Sequence, residues 1–404
     1  MTINRELIDG FYANLDDRSK KAVDDAVAKM VEVKKKGGNI VVASGSGPNI
    51  HEGVTTLIAE LMDKGIIDGV TTSSAVIGHE MAGSLDRVKM CDASQLGLPE
   101  EKMPRGNVFE FTRMTDEERE ALRREMVLDE DLLAKEDEVE GHDVVKAAGN
   151  MAYPMGLWNE TLASEILEIA RTYGLPFETV AGWGADRKTM IGIGAEKGLP
   201  VIVSIPQMVG GGNIGLAIGD SIPISNRSMR LARMLEDADI IIESAIALSQ
   251  ELHDGPFENY TGHGIWAWWK GLHTYHLREK TLIRIDLDEN LRKAQDQQRE
   301  NARIQEAIDK GLPKTKISGI PFRMEMSAFA RHEGSIPVIG DIGEIWPVMA
   351  LKVADELDIK LDFMSYKQET EEGKAMREWI VENVRPIDPA RMRAKAGEYR
   401  LSRS

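Results

Sequence analysis

Residues 250–271 form the part of the sequence that is densest in chemically capable side chains. Aromatic rings beside carboxylates are suited to holding an organic cation, and a lysine packed among tryptophans can act as a nucleophile when its pKa is depressed. The alternative is a hydrophobic patch or subunit interface from which the lysine extends to solvent. The candidate substrate-binding residues are Glu251, Asp254, Glu258, Trp268 and Trp269, and the candidate nucleophile is Lys270.

Two glycine-rich turns could bring the backbone close to a ligand. The first, GSGPN at 45–49, stands between a predicted strand and a predicted helix, and the start of a helix favours a phosphate. It lacks the third glycine of a dinucleotide fingerprint and the lysine of a Walker loop, so a plain tight turn is the alternative. The second is Gly210-Gly211-Gly212. Consecutive glycines are costly to order, which indicates close approach to a ligand, although a flexible loop has the same composition.

Hydroxyl side chains end the second predicted strand, at Thr71, Thr72 and Ser73, and the pair His79-Glu80 follows. Ligands of open α/β sheets bind beyond the carboxyl ends of the strands. Hydroxyls in that place can hold a cofactor phosphate or ribose, and the alternative is an ordinary helix N-cap.

Strands, turns and helices alternate along much of the chain, and this alternation is typical of a parallel sheet. The predicted strands are nearly all apolar, as strands buried on both faces are. The sequence therefore predicts a Rossmann-like α/β fold, a doubly wound, mostly parallel sheet with helices on both faces. The predicted strands are 39–43, 66–72, 175–181, 200–205, 239–243, 281–286 and 336–340, with an acidic loop or helix over 127–143 and a long exposed helix over 289–316.

The composition is that of an acidic globular protein. Fifty basic against 67 acidic residues give a formal charge of −17 in 404 residues, which argues against nucleic acid or an anionic membrane as the main partner. The single cysteine, Cys91, excludes an internal disulfide and a cysteine-rich zinc site. Because no signal peptide and no long apolar run are recognisable, we expect a cytoplasmic protein with no membrane partner.

In order and content, these stretches resemble the deoxyhypusine synthase family over most of residues 37–280 and again over 335–357. That family uses NAD and spermidine to place an aminobutyl group on a lysine of a translation factor. The resemblance implies a deoxyhypusine synthase-like NAD-binding fold, NAD as cofactor, a small-molecule amine or polyamine as substrate and a homotetramer. A protein lysine is a candidate acceptor. It also implies one domain over 1–404, with a helical insertion at 282–334 and a C-terminal extension at 365–404.

The resemblance further implies roles for individual residues. His79 and Glu80 fall near the family's proton-transfer acids, Asp186 falls near an aspartate of its substrate loop, and Lys270 lies in the segment with its catalytic lysine. The sequence departs from the family at Trp269-Lys270, where no glycine separates the two residues. The implied cofactor-binding residues are Asn49, Thr71, Thr72, Ser73, Gly210, Gly211, Gly212, Asp239 and Asp341.

The leading hypothesis is an NAD-dependent transferase that oxidises an amine to an imine and carries the alkylamine group on Lys270. Three alternatives stay open at this point. The first is an NAD-dependent deaminase or cyclodeaminase on the same scaffold. The second is a metal-dependent hydrolase that uses the histidines of 253–276, although the spacing favours no metal site. The third is a non-catalytic NAD-binding homologue.

Overall fold

The short apolar runs of the sequence form strands. The computed structural model describes residues 2–45, 47–103, 106–149, 151–204, 212–245, 279–312, 317–320 and 334–402. In these ranges the strands are β1 (Ile40–Ser44), β2 (Gly69–Thr72), β3 (Leu85–Asp92), β4 (Val108–Thr112), β5 (Gly141–Ala147), β6 (Val201–Val203), β7 (Ile240–Ser244), β8 (Thr281–Asp286) and β9 (Ser335–Ile339).

Helices fill most of the remaining described ranges. They are α1 (Arg5–Asn14), α2 (Asp17–Lys35), α3 (Pro48–His51), α4 (Val54–Asp63), α5 (Ser74–Met81), α6 (Asp116–Glu125), α7 (Glu130–Lys135), α8 (Met155–Tyr173), α9 (Phe177–Gly184), α10 (Met190–Lys197), α11 (Gly212–Ser221), α12 (Ile224–Asp237), α13 (Asn290–Glu300), α14 (Ala302–Asp309), α15 (Ile342–Glu356), α16 (Glu371–Asn383) and α17 (Pro389–Leu401). None of these described helices combines the length and the apolar character that crossing a lipid bilayer requires.

Six strands form one sheet in the order β6-β2-β1-β7-β8-β9, and every neighbouring pair in it is parallel. The predicted α/β fold with a parallel sheet is therefore confirmed. All six strands end at the same edge, which we call the carboxyl rim. Its strand-end residues are Ser44, Thr72, Val203, Ser244, Asp286 and Ile339.

The two faces of this sheet differ in chemistry. Alternate residues such as Val42, Ile242 and Ile283 join one apolar core with α1, α2, α4 and α15. On the opposite face Ala43 has Thr71 and Glu243 as its lateral neighbours, and Glu243 in turn pairs with Arg284. Thr71, Glu243 and Arg284 make this face polar just before the strand ends. We call it the polar face.

A second sheet, antiparallel and three-stranded in the order β4-β3-β5, was not predicted. Its strands carry many charged residues, so the chain there lacks the apolar runs that indicate a buried strand. Its small core consists of Cys91, Leu96, Phe111 and Val139. The acidic stretch 127–143, predicted as a loop or helix, in fact contains α7 and the start of β5.

Two other predictions of secondary structure were wrong. Residues 175–181 form the start of a helix rather than a strand, because Phe177, Val180, Ala181 and Gly184 have helical spacing and are buried on one side. The long helix predicted over 289–316 is two helices, which meet at an extended residue, Asn301.

A buried ion pair fixes the end of β6. Arg227 on α12 pairs with Glu178 on α9, and both side chains are at most 1% exposed. Glu178 Oε1 accepts from the backbone N–H of Val203 at 2.7 Å, while Arg227 donates to the oxygens of Val203 and Ile218 at 3.0 and 2.7 Å. The pair therefore joins two helices to the last residue of β6.

Candidate functional site

The crevice between β1 and β7 is the topological switch point of the parallel sheet. From β1 the chain continues to β2 and β6 on one side, whereas β7 is followed by β8 and β9 on the other. Connections that leave neighbouring strands in opposite directions open a gap beyond the strand ends, and ligands of open α/β sheets bind in that gap. The turn 45–49 leaves β1 at this point.

Gly47 gives this turn a conformation that only glycine adopts easily. Its φ is 58° and its ψ is −107°, a combination that places the Cβ of other residues in conflict with their own backbone. A Cβ built on Gly47 meets no atom of the described residues within 4 Å, its chain neighbours aside. Within the described part of the chain, the space over the turn is therefore open, and the half-buried backbone of Gly47 can be approached from the crevice.

Asn49 holds the turn to the neighbouring strand. Its side chain is fully buried, its Nδ2 donates to the backbone oxygen of Ser244 at 3.2 Å, and its Oδ1 accepts from the Ser244 hydroxyl. The indole Nε1 of Trp346 on α15 donates to the same hydroxyl at 2.9 Å. Asn49, predicted to contact a cofactor, thus shapes the turn at the crevice.

The predicted hydroxyl residues lie beside this turn, at the end of β2. Thr72 donates to the backbone oxygen of Ser44 at 2.8 Å and so joins β2 to β1. Ser73 caps α5 by accepting from Val76 N at 3.4 Å, which is the alternative that the sequence left open. Thr71 points to the polar face of the sheet, where its buried hydroxyl has no hydrogen-bond partner within the described ranges.

Glu80 and His79 are buried near the same strand ends. The two carboxylate oxygens of Glu80 accept from Met190 N and Ile191 N, at 2.8 and 3.0 Å. Glu80 therefore binds the first turn of α10, and both of its oxygens are occupied. His79 Nδ1 lies 2.7 Å from the backbone oxygen of Ala148, and burial lowers the pKa of its ring. Proton transfer by either residue stays a prediction.

Glu80 should make the stability of the protein depend on pH. Burial raises its pKa from 4.5 to about 7, so between these values the folded chain holds a proton that the unfolded chain has released. The free energy of unfolding should therefore fall by about 3 kcal/mol as the pH rises from about 4.5 to 7. Urea denaturation at several pH values should show a shallower fall for Glu80→Gln. The control is Glu196→Gln, at a half-exposed position on α10, the helix to which Glu80 is hydrogen-bonded, and it should keep the wild-type slope. Equal slopes for wild type and Glu80→Gln would contradict this role.

Glu52 is a candidate that was not among the predicted site residues. It is 5% exposed, and its Oε2 accepts from Gln368 N at 2.7 Å. Burial, with the nearby Asp341 carboxylate, raises the pKa of Glu52 to about 7. The sequence feature that could have indicated Glu52 is its position shortly after the glycine turn, three residues beyond Asn49.

Asp341 lies just past the end of β9, on the rim as predicted. Its Oδ1 accepts from Gly343 N at 2.8 Å at the start of α15, and its side chain is 20% exposed. The ammonium of Lys367 is 3.6 Å from Asp341 and 2.7 Å from Glu344. One oxygen of Asp341 thus caps the helix while the group as a whole remains accessible.

Charged residues also stand at the ends of β7 and β8, in strands that are otherwise apolar. Glu243 lies 3.7 Å from Arg284, and these side chains are 1% and 0% exposed. One oxygen of Glu243 and one of Asp286 are buried without a hydrogen-bond partner among the residues that the structure describes. The sequence analysis did not predict Glu243, Arg284 or Asp286 as site residues. Charged residues within the otherwise apolar strands IIIES and TLIRID are the feature that could have indicated them.

Gly212 lies close to the side chain of Glu160. Its φ is 53°, and a Cβ there would lie 2.1 Å from Glu160 Oε1. The same carboxylate accepts from Asn213 N at 2.8 Å, so it binds the start of α11. The close approach inferred for the glycine run is, at Gly212, an approach to Glu160.

Two predicted residues lie apart from the crevice. Asp239 precedes β7, at the amino edge of the sheet, where its Oδ2 accepts from Asn39 N at 2.8 Å. It is therefore not brought together with the rim residues. Asp186 accepts from Lys188 N and Arg385 N at 2.9 and 3.0 Å, in the turn between α9 and α10.

The remaining predicted site residues cannot be placed. Gly210, Gly211, Glu251, Asp254, Glu258, Trp268, Trp269 and Lys270 all lie outside the described residues. Their roles stay predictions.

Comparison with known proteins gives a likeness of fold only. No family model matches the chain, and no curated protein matches it significantly. Similar solved structures include ArgZ, an arginine dihydrolase of the ornithine–ammonia cycle in cyanobacteria, at 10% identity and a TM-score of 0.41, over 84% of this chain and 32% of that one. AgrE in a ternary complex with ornithine and NAD⁺ has 12% identity and a TM-score of 0.40, over 85% and 34%. A putative LOR/SDH protein from Methanococcus maripaludis S2 has 10% identity and a TM-score of 0.38, over 86% and 70%.

The chain spans about a third of the length of ArgZ and AgrE. These three structures are not deoxyhypusine synthases, so membership of that family is not shown. At these identities and TM-scores, substrate and reaction are left open.

Proposed function

We propose that the chain is an NAD-dependent enzyme that oxidises the carbon beside an amino group of a small substrate, as a deaminase or cyclodeaminase does. The observation that supports it most is the open glycine turn at the switch point of a parallel sheet. Such a crevice is where dinucleotides bind in doubly wound folds. The backbone of Gly47 has no atom of the described residues, its chain neighbours aside, within 4 Å of its Cβ position, which fits the close approach that a pyrophosphate needs.

The residues that would hold NAD line the rim on both sides of this turn. The backbone at Gly47 would take the phosphates, and Asp341 has an accessible carboxylate that suits a ribose hydroxyl. Asn49 and Ser244 would keep the turn in place through their buried hydrogen bonds. When bound, NAD supplies a hydride acceptor.

Carboxylates on the rim would attract a cationic substrate. Among the described residues, Glu243 Oε2 and Asp286 Oδ2 accept no hydrogen bond, although Glu243 Oε2 lies 3.7 Å from Arg284. Such oxygens are costly to bury unless a donor satisfies them, and a substrate ammonium is such a donor. Glu52 is the better candidate for taking a proton from the substrate nitrogen. Its pKa of about 7 suits a general base, and, unlike Glu80, its described hydrogen bond engages only one oxygen.

A more specific alternative adds the transfer of an alkylamine group through Lys270. It depends on a residue outside the described ranges. A hydrolase that uses the histidines of 253–276 depends on the same part of the chain. Borohydride trapping during turnover separates the transferase from the deaminase, since only the transferase should leave an adduct on Lys270. Metal analysis of the purified protein tests the hydrolase.

The first expected result is that NAD binds and quenches tryptophan fluorescence. Trp346 is fully buried and bonded to Ser244 at the crevice, so ligand entry there should change its emission. A titration should give a dissociation constant of about 1 mM or tighter, within the usual range for enzyme ligands.

Trp346→Phe is the control for the location of this signal. It should lose most of the quenching while isothermal calorimetry still detects NAD. Absence of NAD binding by calorimetry to the wild-type chain would remove the proposed function.

A further inference from the structure

A cavity of about 590 Å³ lies away from the crevice, between the small sheet and the C-terminal helices. It is bounded by the start of β3, the end of β4, α6, the start of α8 and the segment 381–390. Its volume falls within the range of small-molecule sites in proteins. None of the rim residues discussed above lines it.

The inner wall of this cavity is apolar. Met155 and Trp158 on α8 are 4% and 5% exposed, and Leu85, Leu122 and Ile387 are similarly buried. An indole ring and a thioether offer a flat, polarisable surface. Such a wall suits the hydrocarbon part of a ligand.

Asp86 is a lining carboxylate that has no ion pair within the described part of the chain. Of the four lining arginines, Arg124 has no ion pair among the described residues, and the other three already have acids. Arg87 pairs with Glu378, Arg113 Nε lies 2.9 Å from Asp143 Oδ1, and Arg385 lies 3.9 Å from Glu118.

The surroundings of Asp86 are unfavourable to its negative charge. Burial raises the pKa of Asp86 to about 7, and the nearby Glu118 carboxylate adds to the rise. A half-buried carboxylate between an apolar wall and a second acid is stabilised when a ligand brings a positive charge. A neutral or anionic ligand offers Asp86 no such gain.

We propose that this cavity binds a small primary amine with an apolar body, whose ammonium group pairs with Asp86 and whose hydrocarbon part lies against Met155 and Trp158. The site is separate from the NAD crevice, and its occupation does not depend on the proposed reaction. It would make the protein responsive to an amine at a distance from the rim.

The test uses three probes of the same shape on the full chain without NAD: phenethylamine, 2-phenylethanol and phenylacetate. Isothermal calorimetry should detect phenethylamine, with 2-phenylethanol and phenylacetate at least about tenfold weaker, which corresponds to one charge-assisted hydrogen bond. Asp86→Asn should weaken phenethylamine about tenfold and leave 2-phenylethanol unchanged.

Two variants act as controls. Asp137→Asn, at a carboxylate that is 79% exposed, should bind phenethylamine like the wild type. Ala121→Phe, at an exposed position on α6 that lines the cavity, should weaken binding by filling the space while the fold is kept.

The proposal is overturned if phenethylamine does not bind, if 2-phenylethanol or phenylacetate binds as tightly, or if Asp86→Asn binds phenethylamine like the wild type. Circular dichroism of each variant verifies that the fold is intact. Because NAD is absent from the experiment, its outcome is independent of the cofactor titration.

Discussion

Replacing Gly47 by alanine is expected to weaken NAD binding at least about tenfold, or 1.4 kcal/mol, while the chain stays folded. The φ of 58° and ψ of −107° are strained for any residue with a Cβ, and such strain costs about 1–3 kcal/mol. The new methyl group meets no atom of the described residues within 4 Å, its chain neighbours aside. It therefore leaves the packing intact but occupies the space over the turn that a phosphate would approach.

Gly37→Ala is the matched control for this prediction. Gly37 also has a positive φ, 75°, and open space around its Cβ position, but it precedes β1 and so lies at the opposite edge of the sheet. Both variants should lose a similar amount of stability in urea denaturation, and only Gly47→Ala should lose NAD affinity in calorimetry. Equal NAD affinity in the two variants would show that the cofactor does not approach this turn.

Replacing Arg227 by methionine is expected to lower the free energy of unfolding by about 3–5 kcal/mol, the usual cost of removing one partner from a buried ion pair. The change leaves the Glu178 carboxylate buried, with Val203 N as its described hydrogen-bond donor. It also leaves the backbone oxygen of Ile218 without the donor that Arg227 provides. The end of β6 would lose its connection to α12.

The matched surface variant is Arg171→Met. Arg171 pairs with Asp220 at an exposed site, where the two side chains are 53% and 64% exposed, and its loss should cost less than about 1 kcal/mol. The double variant Arg227→Met with Glu178→Gln should recover part of the lost stability, because no unpaired charge is then buried. Urea denaturation that finds Arg227→Met within 1 kcal/mol of the wild type would contradict the assigned role.

The parallel sheet could be predicted because burial on both faces forces its strands to be apolar. Ile40–Ser44 is a run of this kind with glycines on both sides, and Ile240–Ser244 begins with three isoleucines. The small sheet could not be predicted in this way. Leu85–Asp92 mixes buried and half-buried residues with several charges, and its pairing with Gly141–Ala147 joins segments far apart in the chain.

The position of the candidate site could be predicted from the sequence, but the hydrogen-bond partners of its side chains could not. A position at the end of a strand follows from the sequence, so Thr72, Ser73 and Asp341 were expected at the rim. Whether the side chain of such a residue is already hydrogen-bonded within the protein depends on residues far away in the chain, and a single sequence does not reveal them. The carboxylate of Glu80 binds the start of α10, and Glu52 becomes a candidate base only because distant residues bury it.

The hydrogen bonds among Asn49, Ser244 and Trp346 have a mechanical consequence. They connect the glycine turn to α15, and the first turn of α15 is capped by Asp341. The two places proposed to hold the phosphates and a ribose of the dinucleotide are therefore both connected to α15, and a displacement of this helix would weaken both contacts at once.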